Sequence, residues 1–210
     1  MTGFRNVAQP PTFTDWHSVL PEDTQMPMDL AQTFIARSRY YLQGEYRTKI
    51  RAAVEALPAG ALWWRANDQS NSVGNLLMHL AGNIRQWIVA GVGQAPDRRN
   101  RAGEFAARDG ATAAELLDVL EKALDDVDAV IAKLTPDDLA GRRTIQGREI
   151  SVLEAVYHVV EHFALHSGQI ILLSKMHAPG AVRFYDDAGG LAKPLWPDLS
   201  RTPIPADQIL

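Results

Sequence analysis

The sequence predicts an all-α protein, a four-helix bundle with irregular N- and C-terminal extensions. Three observations carry this. Four long segments repeat apolar residues every three or four positions, the period of an amphipathic helix. Two of them begin with a capping box, and no segment alternates as a strand would. The chain of 210 residues is long enough for one domain with a substantial core, and its 46% hydrophobic and 22% charged residues are those of a globular protein.

The elements follow in order. Residues 1–26 are rich in Pro, Thr and Asp without a period, and read as an irregular arm. A first helix covers 28–57, carrying Leu30, Phe34, Ile35, Tyr41, Ile50, Val54 and Leu57, with Gly44 as a point of kinking or breakage and Pro58 as its end. After a connection bearing Trp63 and Trp64, a second helix spans 70–91, with Val73, Leu76, Leu77, Leu80, Ile84, Trp87 and Ile88 on its stripe. The polar connection 92–111 is long for a structureless loop, and loops of that length are often functional. Thr112 and Glu115 open a third helix, which runs through Leu120, Leu124, Val127 and Ile131. A short extended piece fits within 142–150, and Ser151 with Glu154 opens a fourth helix reaching about residue 176. The Gly- and Pro-rich remainder reads as a surface tail. The implied organisation is an arm (1–26), a bundle domain (27–177) and a tail (178–210).

Charge and composition exclude several functions. A net charge of −4 argues against a nucleic-acid surface, and the arginines at 98, 99 and 101 and at 142 and 143 read as solvated loop charges. With no cysteine there are no disulfides, thiolate ligands or cysteine nucleophile, which suits a cytoplasmic setting. Neither a signal peptide nor a membrane-length apolar run is read.

Three of the six histidines, His158, His162 and His166, recur every four residues on the fourth helix. Each step advances about 40° and about 6 Å, so the imidazoles share one face. Metal–nitrogen bonds of about 2.0–2.1 Å let one ion take only an adjacent pair, His158/His162 or His162/His166. A further ligand must come from elsewhere. His79 is placed for this, in the row Asn75, His79, Asn83 along an otherwise apolar helix. Buried polar side chains in register need partners, and a facing histidine stripe supplies them.

Residues 70–88 (SNSVGNLLMHLAGNIRQWI) and 158–173 (HVVEHFALHSGQIILL) resemble the two signatures of the DinB-like superfamily, and RNRAGEF at 99–105 is similar to one of its branches. The resemblance covers about 30–176 and implies a four-helix bundle whose second helix gives one metal-binding histidine and whose fourth gives two. By position these are His79, His162 and His166, with the HSGQ string deciding the pair. Asn83 and Gln169 are then expected to support ligand imidazoles, Gln169 by hydrogen bonding one turn after His166. His158 and Glu104 are the candidates for catalytic groups, Glu104 by reaching the ion from the long connection. Glu161 is rotated about 100° from His162 and reads as a solvated carboxylate. The tryptophans at 63, 64 and 87 read as core or pocket wall.

Three neutral histidines leave coordination positions open, the arrangement of a catalytic rather than a structural site. All-imidazole ligation suits zinc or nickel as well as iron and copper. The expected function is a metal-dependent enzyme acting on a small molecule, either a hydrolase or a low-molecular-weight thiol transferase. The alternative is a metal-binding stress or structural protein without turnover, and beyond that a bundle with an ordinary polar core. The resemblance also implies a homodimer, and neither nucleic acid nor membrane is expected as a partner.

Overall fold

The computed structural model describes residues 28–196; the N-terminal arm and the last part of the tail lie outside the described residues. The four expected rods are present and pack as a bundle. The first consists of α1 (Met28–Arg39) and α2 (Arg47–Glu55), joined by a π-helical stretch at Tyr40–Tyr46. Gly44 lies within that stretch. The backbone at both junctions stays right-handed helical, so the weakness at Gly44 widens the hydrogen-bond ladder and does not break the rod.

The second rod is α3 (Val73–Ile84), extended by π-helical turns at Arg85–Val92. Ser72 caps it, accepting from the Asn75 N–H while the Asn75 side chain accepts from the Ser72 N–H. The third is α5 (Ala113–Ile131), whose capping box is the one expected at Thr112 and Glu115. The fourth is α6 (Val152–His177), capped by Ser151 and Glu154. Leu76, Leu80, Ile84, Leu120, Leu124, Ile131, Val159 and Phe163 are almost fully buried between these rods. Burying such side chains contributes about 1.5–3 kcal/mol each and drives the assembly. Along the seam between the first rod and α5, Arg39 pairs with Asp128 and Arg47 with Asp125, fixing register more than stability.

The long connection is more ordered than its polarity suggests. It holds a short helix, α4 (Arg101–Ala106), capped by Asn100, whose side chain accepts from Gly103 N–H at 3.0 Å. Buried Asn75 on α3 and half-buried Arg65 in its lead-in hold α4 down. Asn75 donates to the carbonyls of Glu104 (2.8 Å) and Ala107 (3.0 Å), and Arg65 donates to Asn75 Oδ1 and to Ala107 O. Asn75 therefore does not face the histidines, as the stripe suggested; it satisfies the end of α4.

The extended piece is a hairpin, β1 (Arg142–Ile145) paired antiparallel with β2 (Arg148–Ser151). Gln146 and Gly147 turn it, both at positive φ, the conformation that tight hairpins require. In the C-terminal extension a two-residue ladder joins β3 (Tyr185–Asp186) to β4 (Lys193–Pro194). Trp196 follows, buried, its indole N–H donating to Tyr40 Oη at 3.1 Å and its ring beneath Lys49. An aromatic anchor thus ties this part of the tail to the first rod. No described helix is long and apolar enough to cross a membrane.

Candidate metal centre

Packing α3 against α6 brings together three imidazoles 83 and 87 positions apart in sequence. His79, His162 and His166 each offer one ring nitrogen to a cluster whose atoms all lie within 4.8 Å of one another. His79 Nε2 and His162 Nε2 are 3.0 Å apart. Two nitrogens bound to one ion at about 2.0–2.1 Å stand about 3–3.4 Å apart, so the spacing of this pair fits a shared cation. The ring centroids are 4.9 Å (His79–His162), 5.1 Å (His79–His166) and 4.4 Å (His162–His166) apart. His79 is buried, while the two α6 histidines are half-buried, so the cluster has one closed and one open side.

The far nitrogens of two of these rings are already occupied. His166 Nδ1 lies 2.7 Å from Gln169 Oε1, a carbonyl oxygen that only accepts, so the ring donates from Nδ1 and leaves Nε2 free. His79 Nδ1 lies 3.0 Å from Glu104 Oε2. The carboxylate is held in turn by Arg99, whose Nε donates to Oε1 at 2.8 Å and Nη2 to Oε2 at 2.9 Å. Carboxylate and guanidinium are both buried at this contact. Burial raises the Glu104 carboxyl, but the bonds from Arg99 and His79 outweigh it and hold the group below the usual carboxylate range. An ionised Glu104 orients His79 with its Nδ1 proton outward and its Nε2 lone pair toward the cluster. Gly82 makes room for this, since a Cβ there would collide with Glu104 Oε1. Phe105 lies against the His79 ring, with centroids 4.7 Å apart.

Electrostatics favour neutral, metal-ready rings. Burial, aided by the neighbouring imidazoles, lowers the His162 pKa to about 3. Burial lowers that of His166 as well, against the opposing bond to Gln169. Neutral imidazoles are the form that binds a cation, and closely spaced nitrogen lone pairs gain most from one.

Several expectations need correction. Glu104 does not reach toward the cluster from above; its oxygens are taken by Arg99 and by the far nitrogen of His79. Arg99 is no solvated loop charge, because its side chain is 3% exposed and paired. Asn83 is buried, but its Oδ1 has no partner among the described residues, so it supports none of the three imidazoles by a hydrogen bond. His158 stands apart from the cluster, stacked on Trp87 at 3.9 Å and on His162 at 5.3 Å, its Nε2 buried without a partner. Trp63, by contrast, is core wall as read from sequence, packed on Gly74 and donating to Ala111 O. Gly82 and Arg65 were not singled out from sequence, and Arg99 and Asn75 were given other roles. The usable signal was Arg99 and Glu104 five residues apart around an Asn-capped turn.

The fold is a helical bundle with a histidine triad between its second and fourth rods. Residues 29–183 match the model of the family described as "Protein of unknown function (DUF1572)", and the chain belongs to that family. A solved structure with a similar fold is the crystal structure of a DinB-like protein from Bacillus cereus ATCC 10987. It is 16% identical, covers 71% of this chain and 95% of its own, and has a TM-score of 0.55. No curated protein matches the sequence.

Proposed function

We propose that this chain is a metal-dependent enzyme of the DinB-like type, with His79, His162 and His166 as ligands to a divalent transition metal, zinc or nickel. The observation that carries this is the pair of Nε2 atoms 3.0 Å apart, with the far nitrogens of His79 and His166 already committed to Glu104 and Gln169. Bound there, such an ion lowers the pKa of a water or small thiol in contact with it, the chemistry of a hydrolase or thiol transferase.

The chain's own residues then divide the work. Glu104 fixes the His79 tautomer, and Arg99 keeps Glu104 ionised and in place. Gln169 holds the His166 ring. The triad is half-open on the α6 side, where a small-molecule substrate has access. His158, half-buried one turn from His162, is the histidine left there to exchange a proton with a substrate. Its pKa is lowered by burial, so it presents a base rather than a cation at neutral pH.

The test is metal analysis of the protein after reconstitution with zinc or nickel, followed by hydrolase and thiol-transfer screening. One ion per chain, lost in His162→Ala, is expected, with turnover that follows metal content. One ion per chain with no turnover in either screen, and a strongly lowered melting temperature in His162→Ala, would favour the non-catalytic, bracing role.

The same reading includes a homodimer. Tyr157, Leu165, Leu172 and Met176 lie on one face of α6 and are 62%, 55%, 60% and 59% exposed. Light scattering of wild-type protein should give twice the chain mass, and Leu165→Glu should give the monomer.

A further inference from the structure

Behind the Arg99–Glu104 pair, on the side away from the triad, lies a separate cavity of about 380 Å³. This is within the size range of small-ligand pockets, about 300–1,000 Å³. None of the three clustered histidines lines it. Its floor is apolar, built by Met78, Ala81 and Val89 on one face of the second rod, with Pro96 and Val119 opposite. Val119 is 47% exposed, an apolar side chain on a helix face with no cover at the rim.

The charged groups of the lining set its preference. Three guanidiniums, Arg85, Arg98 and Arg99, stand against two carboxylates, Asp97 and Glu104, so the lining is net positive in a chain of net charge −4. Most of these charges are already committed. Arg99 is bound by Glu104, and Arg85 pairs with Asp126 at 2.8 Å. Asp97 accepts from the Gln86 side chain and the Arg99 N–H. Arg98 is the one arginine of the lining with no ion-pair partner among the described residues. An apolar floor below one uncommitted guanidinium is complementary to a molecule with an apolar body and a single anionic head.

We propose that this cavity binds a small amphipathic anion, a carboxylate on a short apolar body, with its head on Arg98 and its body on the Met78–Val89 floor. The site is distinct from the metal centre and independent of the reading above. The two share a wall, because Arg99 and Glu104 line the cavity and hold His79.

The test is calorimetric titration of the chelator-treated full chain with octanoate. The expected result is saturable binding of one octanoate per chain, weakened at least tenfold in Arg98→Glu and in Val119→Asp. Both side chains are exposed, so both variants should fold, and circular dichroism checks this. Octylamine, with the same body and the opposite head, should bind at least tenfold more weakly. The proposal is overturned by non-saturable binding, by equal affinity for octylamine, or by affinity unchanged in Arg98→Glu. Loss of octanoate binding in His162→Ala would overturn it too, by placing the anion at the triad.

Discussion

His158 and His166 lie one helical turn either side of His162 on α6, and the two flanks meet different surroundings. On the His166 side α3 presents His79, and Gln169 holds the second nitrogen of His166, so every ring there has a stated use. On the His158 side the same rod presents Trp87, and the imidazole lies tilted against an indole with a nitrogen unsatisfied. Equal spacing on one helix did not make the two equivalent. The facing residue on the second rod decides, His79 at one end and Trp87 at the other.

The largest expected effect breaks the comparison directly. His79→Ala or His166→Ala should lose stoichiometric metal binding, whereas His158→Ala should keep it, as read by elemental analysis after reconstitution. If His158→Ala released the ion and His166→Ala did not, the assignment of the pair would be reversed. Next, Trp87→Ala should lower stability by about 3–5 kcal/mol, the cost of truncating a buried aromatic, while leaving metal content unchanged. Denaturant unfolding of the reconstituted variant checks this.

A smaller effect sharpens the account of His79. Glu104→Gln should weaken metal affinity by about 10–100-fold, the usual cost of losing a carboxylate behind a ligand histidine. Competition with a chromophoric chelator measures it, and Gly82→Ala should move affinity the same way by displacing the carboxylate. Ser72→Ala, at the start of the helix that carries His79, should cost about 1–2 kcal/mol of stability through loss of the cap.

The smallest effect concerns the start of the helix that carries the other two ligands. Backbone and side-chain bonds from Ser151 hold the Glu154 carboxyl below its ordinary range. A depressed carboxylate stabilises the fold above its unfolded pKa, and that contribution fades as pH falls through the folded value. The melting-temperature gap between wild type and Ser151→Ala should therefore be widest at neutral pH and narrow in acid to the part supplied by the Glu154 N–H bond to Ser151 Oγ. A gap independent of pH would show that Glu154 contributes nothing.

Much of the bundle was legible because its signals are local. Periodicity marked the four rods, and Thr112/Glu115 and Ser151/Glu154 marked two helix starts to the residue. The triad needed more than spacing, which left two histidine pairs open until the HSGQ resemblance chose one. What stayed hidden depends on long-range packing. Arg99 looked like one of several loop arginines, because nothing nearby in sequence shows that Gly82 leaves room for Glu104 to reach His79. Asn75 shared a stripe with His79, yet a few degrees of rotation and the fold of α4 gave it carbonyl partners instead.

The central claim is that His79, His162 and His166 share one cation. The most direct measurement is equilibrium titration of the chelator-treated protein with zinc and with nickel, wild type beside His162→Ala. One tight site per chain in the wild type, absent from the variant while its helical circular dichroism is retained, is the predicted result. A wild type that takes up no stoichiometric ion, or a variant that binds as tightly, would contradict it.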